Sequence, residues 1–468
     1  MTELQHLAER FAELAWGPWL LVLLLGGGSY FLLLSRFAPF RYLGHGIDLL
    51  RGRHAEPDEP GQITHFQALS AALAGTIGLG NIGGVALAIG IGGPGAIFWM
   101  WMTAILGIAT KFFTCTLAVM YRFEDVDGER RGGPMYVITE GLGPRWKPLA
   151  IMFAIFGMIG ALPVFQTNQL VQVLREVVLE NLLAVPVPED PMLLNLALGL
   201  PVAIVSGAVI IGGIRRIARV AAALVPVMSV AYLAAVFCAL LLNVDQVPGA
   251  LALIVTDAFT AEAAAGGGLL SMILYGVQRG AFSNEAGIGT EALAHGAART
   301  KEPVREGLVA MLGPIVDTLM VCTATALMIL LSGVWQQEGA DGITLTAEAF
   351  SSLLGPVGVT VLVLCVLCFA TTTIVTYSFY GGECARFLFG GGALTPYRVV
   401  YIGFIFFAAV VSLRTAIGII DGAYALMAIP TMVSALQLAP KVTAAARDYF
   451  ARYDAQRAGG VTGSSERS

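Results

Sequence analysis

Long apolar runs limit what this chain can fold into. A helix needs roughly 20 mainly apolar residues to cross the hydrocarbon core of a bilayer, and about eleven stretches of the sequence meet that length. Hydrophobic residues make up 57% of the 468 residues and charged residues only 13%, about half the charged share of an average soluble domain. So little charge cannot cover a water-facing surface. We therefore predict an all-α integral membrane protein whose surroundings are the lipid bilayer.

The predicted spans form one extra N-terminal helix followed by two sets of five helices. They lie near residues 14–34, 66–91, 95–121, 148–181, 192–212, 218–243, 265–290, 304–334, 353–385, 396–413 and 415–438. We divide the chain into an N-terminal helix (1–35), a cytoplasmic interfacial segment (36–65), a first repeat (66–243), a second repeat (244–440) and a cytoplasmic tail (441–468).

The distribution of basic residues predicts the orientation. If the N-terminus lies outside, 24 of the 27 Lys and Arg residues, Arg279 among them, fall in cytoplasmic segments, as the positive-inside rule requires. Only Arg10, Arg175 and Arg414 fall elsewhere. We expect a multi-pass protein of the plasma membrane, in a bacterium the inner membrane, with a cytoplasmic C-terminus.

Several classes of function are disfavoured. The net charge is −5 and basic blocks are absent from the sequence, so we expect no nucleic acid partner. Cys365 and Cys368 form a CxxC pair inside an apolar run, with no second pair to complete a metal site. No HExxH or Ser/His/Asp pattern points to an enzyme, and nothing points to an obligatory protein partner.

Glycine-rich interruptions occur in the first helix of each set of five. One is Ala74 to Asn81 (AGTIGLGN) and the other is Tyr275 to Gly280 (YGVQRG). Because five is odd, the second set enters the membrane from the opposite side, which makes an inverted repeat. Paired interruptions at matching positions are the best sequence indication of a transporter's binding site.

Two facing helix breaks suit a zwitterionic amino acid. The N-terminal end of a half-helix carries free N–H groups and partial positive charge, and the C-terminal end carries free carbonyls. We expect the backbone of Thr76 to Gly78 to bind the carboxylate, and carbonyls near Gly276 to bind the ammonium group. The alternative is that these glycines only allow close helix packing.

Three further polar features lie in apolar runs. The hydroxyls of Thr371 to Thr373 could hold a hard cation, although threonine in a membrane helix often bonds back to its own turn. Gln166 begins a polar patch that lines a cavity or joins helices. Asp317, near the middle of a span, is a cation partner, a proton site, a gate or a structural hydrogen-bond acceptor.

Charged residues beside the second interruption could form a gate. Arg279 and Glu285 flank it, and we expect them near an intracellular gate. His65 and His295 have no metal-like spacing and are expected at the surface.

Several motifs together are similar to those of the alanine or glycine:cation symporter family. They are Gly75 to Val85 (GTIGLGNIGGV), Gly92 to Trp101 (GGPGAIFWMW), Gly132 to Tyr136 (GGPMY) and Arg279 to Gly289 (RGAFSNEAGIG), followed by Ala294-His295 and by Asp317-Thr318 with Cys322. The likeness extends over roughly residues 60 to 440.

The resemblance implies a LeuT-like fold with broken first and sixth core helices. It also implies sodium-coupled symport, with sodium held by the Ala74 and Ile77 carbonyls and the Thr372 and Thr373 hydroxyls, assisted by Asn81. Thr76, Gly78, Gln166 and Gly276 are the implied substrate contacts, with Tyr377 beside the pocket.

The chain departs from the family pattern at a few positions. Thr114 stands where the family usually has Glu, Thr371 where it has Phe, and Tyr377 where it has Trp. Glu291 and Glu306 replace Ala and Gln. These departures leave the substrate open.

We therefore expect a symporter that imports a small neutral amino acid of the alanine or glycine class with sodium by alternating access. The alternatives are a proton-coupled carrier that uses Asp317 or another intramembrane acid such as Glu291, a related symporter with a different small substrate, and a channel.

Overall fold

The computed structural model describes residues 3–53, 59–124, 128–260, 268–336, 342–411 and 413–462, and most of these residues are helical. The N-terminal part begins with an amphipathic helix, α1 (Glu3–Ala15), and continues with α2 (Pro18–Leu34). Gly17 between them is extended, with φ −81° and ψ 170°. The predicted single helix over 14–34 is therefore two helices, because Pro18 can begin a helix but lacks the N–H that would continue one.

The first half of the core follows two short helices, α3 (Ala38–Arg41) and α4 (Leu43–Leu50). Its elements are α5 (His65–Thr76), α6 (Gly80–Gly92), α7 (Ala96–Met120), the antiparallel strands β1 (Phe123–Glu124) and β2 (Arg130–Arg131), α8 (134–142), α9 (Lys147–Gly160), α10 (164–182), α11 (Met192–Ile210) and α12 (Gly213–Leu242).

The second half repeats the order of a broken helix followed by long spans. Its elements are α13 (Val247–Asp257), α14 (Gly268–Asn284), α15 (Glu291–His295), α16 (Pro303–Ser332), α17 (Gly342–Phe389, kinked at Gly355), α18 (Leu394–Ala408) and α19 (Leu413–Thr462). Single 3₁₀ turns occur at Pro144–Trp146, Val334–Gln336 and Gly391–Ala393.

Within the described residues, eight helices are long and apolar enough to cross a membrane, and α5 with α6 makes a ninth as one bent span. These nine correspond to nine of the predicted spans. The other two predictions, 14–34 and 265–290, fall on the shorter helices α2 and α14. The chain is a multi-pass membrane protein, and the count of eleven spans stays a prediction, as do the segment boundaries.

The first predicted break is present. α5 ends at Thr76 and α6 begins at Gly80, with a bend of 52° between their axes. Ile77 has an extended ψ of 91°, so it leaves the helix. Both half-helices are buried, which keeps their freed backbone groups away from lipid.

The second break lies elsewhere than predicted. α14 is continuous from Gly268 to Asn284, so the expected interruption at Tyr275 to Gly280 is wrong. The helix stops at Glu285, which has a left-handed φ of 56°, and Gly287 and Gly289 follow with φ of 86° and 97°. Glycine adopts left-handed backbone angles readily, whereas in Glu285 the side chain makes this conformation unfavourable in free energy.

Close packing explains the glycines that suggested the wrong position. A Cβ on Gly276 would lie 2.5 Å from the Ala96 carbonyl oxygen and 2.7 Å from Trp99 Cβ. A Cβ on Gly280 would lie 3.0 Å from Thr103 Cβ. These glycines let α14 approach α7, as small residues commonly do between membrane helices.

The C-terminal helix extends into the predicted tail. α19 continues past residue 440, where the rings of Tyr42 and Phe450 stack with centroids 3.8 Å apart. His45 Nε2 lies 2.7 Å from the Tyr449 hydroxyl. This part of the tail is thus packed against the α3–α4 segment.

The packing role of Gly276 can be tested by adding one methyl group. Gly276→Ala should lower the melting temperature of the detergent-solubilised protein, because the new Cβ meets rigid backbone. Gly403→Ala on α18 is the matched control, since a Cβ there meets nothing within 4 Å. In the control, alanine's better helix propensity, worth up to about 1 kcal/mol, is free to stabilise the helix. Equal melting temperatures for the two variants would contradict the packing role.

Candidate substrate and cation site at the broken helices

The first break brings together part of the predicted cation site. The Thr373 hydroxyl oxygen lies 2.8 Å from the Ala74 carbonyl oxygen and 2.9 Å from the Phe369 carbonyl oxygen of its own helix, so its one proton is shared between the two acceptors. Gly78 packs against the same hydroxyl, because a Cβ there would lie 2.6 Å from Thr373 Oγ1. Two uncharged oxygens thus meet where α5 ends, which is the ligand type that a hard cation prefers.

The other predicted cation ligands are less directly engaged. Thr372 donates to Cys368 and Phe369 of its own helix, at 2.8 and 3.1 Å. Ile77 is fully buried at the extended turn. Thr76 is also buried, and its hydroxyl lies 3.5 Å from the Leu73 carbonyl.

Asn81 connects the first break to Asp317. Its Oδ1 accepts from the Gly78 N–H over 2.9 Å, so one of the predicted carboxylate-binding donors is engaged by this side chain. Its Nδ2 donates to Asp317 Oδ1. The other Asp317 oxygen accepts from Ser283 Oγ at 2.8 Å and Thr318 Oγ1 at 2.7 Å. Asp317 is fully buried and every oxygen of its carboxylate is hydrogen-bonded.

Glu285 occupies the second break. Its Oε1 accepts from the Tyr377 hydroxyl over 2.7 Å and lies 3.3 Å from the Tyr424 hydroxyl. Its Oε2 accepts from Thr290 over 2.5 Å. Hydroxyls from α17, from α19 and from the segment before α15 therefore surround a fully buried carboxylate where α14 stops. A residue kept in a left-handed conformation by its surroundings is a common feature of functional sites.

Arg279 has a different partner from the one expected. Its guanidinium pairs with Asp421 of α19, and both side chains are buried. Gln278 also donates to the Asp421 carboxylate, over 2.9 Å. Arg279 and Glu285 therefore do not form one gate: one pairs with Asp421 and the other binds hydroxyls beyond the end of α14.

A cavity of about 700 Å³ is bounded by this ion pair. We call the side of the molecule on which it lies the cavity face. The cavity is lined by α1 and the residue after it, the end of α6, α14 and the starts of α17 and α19, and the lining includes Glu13, Trp16, Gly90, Ser271 and Tyr275. Arg279 lines the same cavity as residues of the N-terminal helix. The predicted orientation puts that helix outside, so counting Arg279 among the cytoplasmic residues is inconsistent with that orientation.

The opposite face is closed by backbone and side-chain bonds. Ile63 and Ala298 form a β-bridge, and the Arg122 guanidinium donates to the carbonyls of Pro60, Ala298 and Thr300. These bonds join the start of α5 to the segment after α15.

Two histidines expected at the surface are instead buried in this closure. The Glu306 carboxylate forms hydrogen bonds with both rings: Oε2 with His65 Nδ1, and Oε1 with His295 Nδ1 at 2.6 Å. The three residues lie on α5, α15 and α16. The surface expectation was wrong because a single histidine in a sequence does not reveal which carboxylate the fold will bring next to it.

The remaining predicted substrate contacts are distributed around the first break. Gln166 is buried, and its Oε1 accepts no hydrogen bond from the part of the chain that the structure describes. The neighbouring Phe165 ring packs edge-on against Phe282 of α14, with centroids 5.5 Å apart. Gly276 lies in the continuous part of α14 and away from the second break, so its carbonyl is part of a helix rather than free.

Two departures from the family pattern are neighbours in space. Thr114 Oγ1 donates to Glu291 Oε1 over 3.2 Å. The carboxylate that the resemblance places at position 114 is thus supplied from position 291. Lys111, also buried, interacts electrostatically with Glu285, Glu291 and Asp317, so it offsets part of the buried negative charge.

Sequence reasoning missed Asp421, Tyr424, Ser283 and Thr318. Asp421 was the most detectable of these, because it is an acid inside an apolar run, as Asp317 is. Tyr424 carries no such signal, whereas Ser283 and Thr318 lie within the motifs that resemble the family.

Comparisons with known proteins match nearly the whole chain. The model of the sodium:alanine symporter family matches residues 1–461. The chain is 38% identical to the sodium/alanine symporter AgcS of Methanococcus maripaludis, over 90% of this chain and 92% of that one. It is 36% identical to the probable sodium/glutamine symporter GlnT of Bacillus subtilis, over 95% and 91%.

Among solved structures, the fold is similar to that of MhsT in complex with L-phenylalanine. The TM-score is 0.58 at 12% identity, over 82% of this chain and 98% of that one. The likeness confirms a LeuT-like membrane fold.

The hydrogen bond from Tyr377 to Glu285 predicts that removing the hydroxyls of two buried tyrosines on one helix will have different effects on stability. Tyr377→Phe should reduce the stability of the ligand-free protein by about 1–3 kcal/mol, because it removes a donor from a buried carboxylate. Tyr380→Phe is the control, since its buried hydroxyl has no partner among the described residues. Chemical unfolding in detergent measures both. Equal loss in the two variants would contradict the assigned bond.

Proposed function

Because the chain belongs to the sodium:alanine symporter family, we propose that it carries a small neutral amino acid into the cell with sodium by alternating access. The family is one of transporters, so the chain is a transporter and not an enzyme. The observation that carries the sodium proposal is the meeting of the Ala74 carbonyl and the Thr373 hydroxyl at the first break. The Ile77 carbonyl and the Thr372 hydroxyl complete the proposed set, with Asn81 supporting the turn.

The amino acid would bind between the two breaks. Its carboxylate would meet the N-terminal end of α6 around Thr76 to Gly78, where the helix carries partial positive charge. We move the ammonium site from Gly276 to the C-terminal end of α14, because the last carbonyls of a helix have no intrahelical partner. Gln166 and Tyr377 are proposed to face the ligand.

Alternating access requires a barrier on each side of this site. The Arg279–Asp421 pair is the proposed barrier toward the cavity face, which we assign to the outside. The His65–Glu306–His295 cluster and the Arg122 bonds are the proposed inner barrier. Glu285 lies between the two. Each sodium that enters gains about 2.3 kcal/mol per 100 mV of membrane potential, which drives uptake.

The substrate is proposed only as a class. One relative is named for alanine and another for glutamine, at nearly the same identity to this chain. Alanine and glycine remain our first candidates, with glutamine as the related alternative.

Proton coupling is the second candidate, because Asp317 is a fully buried acid beside the first break. The three hydrogen bonds to its carboxylate favour the ionised form, whereas its complete burial favours the protonated form. A transport measurement is therefore needed to distinguish sodium coupling from proton coupling.

Uptake into proteoliposomes distinguishes the candidates. Labelled alanine, glycine and glutamine should accumulate under an inward sodium gradient at equal pH, and uptake should saturate. Replacing sodium by choline should abolish accumulation. Uptake that follows a proton gradient without sodium would replace our proposal with the proton-coupled carrier, and flux that does not saturate would indicate a channel.

The cation site predicts different effects of removing the hydroxyls of Thr373 and Thr371, two threonines of the same helix. Thr373→Val should raise the sodium concentration for half-maximal uptake at least about tenfold, because it removes the oxygen that meets Ala74. Thr371→Val is the matched control, since among the described residues that hydroxyl bonds only the Leu367 carbonyl of its own helix, at 2.7 Å. A sodium dependence unchanged in Thr373→Val would place the cation elsewhere.

A further inference from the structure

Trp16, the residue that follows α1, contacts the proposed outer barrier. The Trp16 indole N–H donates to the backbone carbonyl of Asp421 over 2.8 Å, and Trp16 is only 8% exposed. The adjacent Gly422 receives the Phe11 ring, because a Cβ there would lie 2.2 Å from the ring. α1 thus packs on α19 directly at the acid that pairs with Arg279.

Asp421 is held from two sides. Its carboxylate accepts from Arg279 and Gln278 of α14, and its carbonyl accepts from Trp16. The backbone bond therefore fixes the point from which the carboxylate extends toward α14.

The sequence around Asp421 has a low intrinsic preference for helix, so the backbone there depends on contacts with other elements. Gly418 and Gly422 flank the acid, and each glycine costs a helix about 1 kcal/mol relative to alanine. The ion pair is also one-sided: within the described chain, Arg279 Nη1 and Asp421 Oδ1 have no hydrogen-bond partner. The pair therefore lacks the second parallel hydrogen bond that gives a bidentate arginine–carboxylate pair its added strength and fixed geometry.

We propose that Trp16 is a positioning residue for the outer barrier. Its N–H sets the backbone of Asp421 so that the carboxylate reaches Arg279, and α1 thereby controls how firmly the site is closed toward the cavity. This inference rests on the proposed function, in which the Arg279–Asp421 pair opens and closes during transport.

A structural alternative is that Trp16 only anchors the chain at the membrane interface, where tryptophan is common. Trp19 on α2 is 45% exposed and is better placed for that role. It lies three residues away, so it is a matched control for replacing an indole.

The test compares Trp16→Phe with Trp19→Phe in the full-length protein. Transport kinetics should show KM for the amino acid raised about three- to tenfold in Trp16→Phe, as expected for the loss of one hydrogen bond, with kcat nearly unchanged. Trp19→Phe should retain both values. A purely structural role would lower the amount of folded protein and leave KM unchanged.

A second measurement does not depend on transport. Cys322 is buried next to Asn81, 3.4 Å from its Nδ2, on the inner side of the barrier. Its labelling by a membrane-impermeant thiol reagent, followed by mass spectrometry of its peptide, should be severalfold faster in Trp16→Phe than in wild type and in Trp19→Phe. Equal labelling rates and equal KM in the two variants would overturn the inference.

The two measurements separate the possible failures. If wild type shows no sodium-driven uptake but Trp16→Phe still accelerates labelling, the proposed function fails and the positioning role stands. If Trp16→Phe is poorly folded, benzothienylalanine at position 16 keeps the shape of the ring and removes only the N–H. Unchanged labelling in that protein would also overturn the inference.

Discussion

The structure depends on satisfying the backbone polar groups that a helix break releases inside a membrane. Without water, each unpaired N–H or carbonyl is expensive, so such a break persists only where other groups replace the lost bonds. Here the Thr373 hydroxyl binds the Ala74 carbonyl, and Asn81 binds the Gly78 N–H. These replacements are themselves polar and exchangeable. A cation or an amino acid that supplies the same bonds can therefore bind without unfolding anything further.

Charged side chains deep in the helix bundle also need partners that replace water. A buried ion needs a partner because its desolvation costs several kcal/mol. Three of the buried acids have different kinds of partner: Asp421 has an arginine, Glu285 has hydroxyls and Glu306 has two histidines. The arginine pair and the histidine cluster lie on opposite sides of the breaks. Bonds of this kind can separate when a ligand offers other partners, which is what barriers on two sides of one site require.

The sequence allowed the fold class, the first break and the meeting of Ala74 with Thr373 to be predicted. These follow from hydropathy, from dense glycine and from motifs that resemble a family. The second break was misplaced because glycine has two uses. At Gly276 it allows α14 to approach α7, and at Gly287 and Gly289 it allows a left-handed turn. Composition does not distinguish the two uses. The pairs Arg279–Asp421 and His65–Glu306 could not be predicted either, because more than a hundred residues separate the two members of each pair.

Placing the second break at Glu285 changes what can select the substrate. Backbone groups at the two breaks would recognise the carboxylate and ammonium groups, which all amino acids share. Discrimination between amino acids must then come from side chains of the protein. Aromatic rings meet near the second break: the Phe282 ring packs against the rings of Phe165 and Tyr424, with centroid distances of 5.5 and 5.4 Å. Tyr424 in turn contacts Tyr377 and Glu285. A larger substrate side chain would have to displace these rings, and an amide could exchange bonds with their hydroxyls. The aromatic residues, rather than the breaks, are therefore where relatives named for alanine and for glutamine should differ.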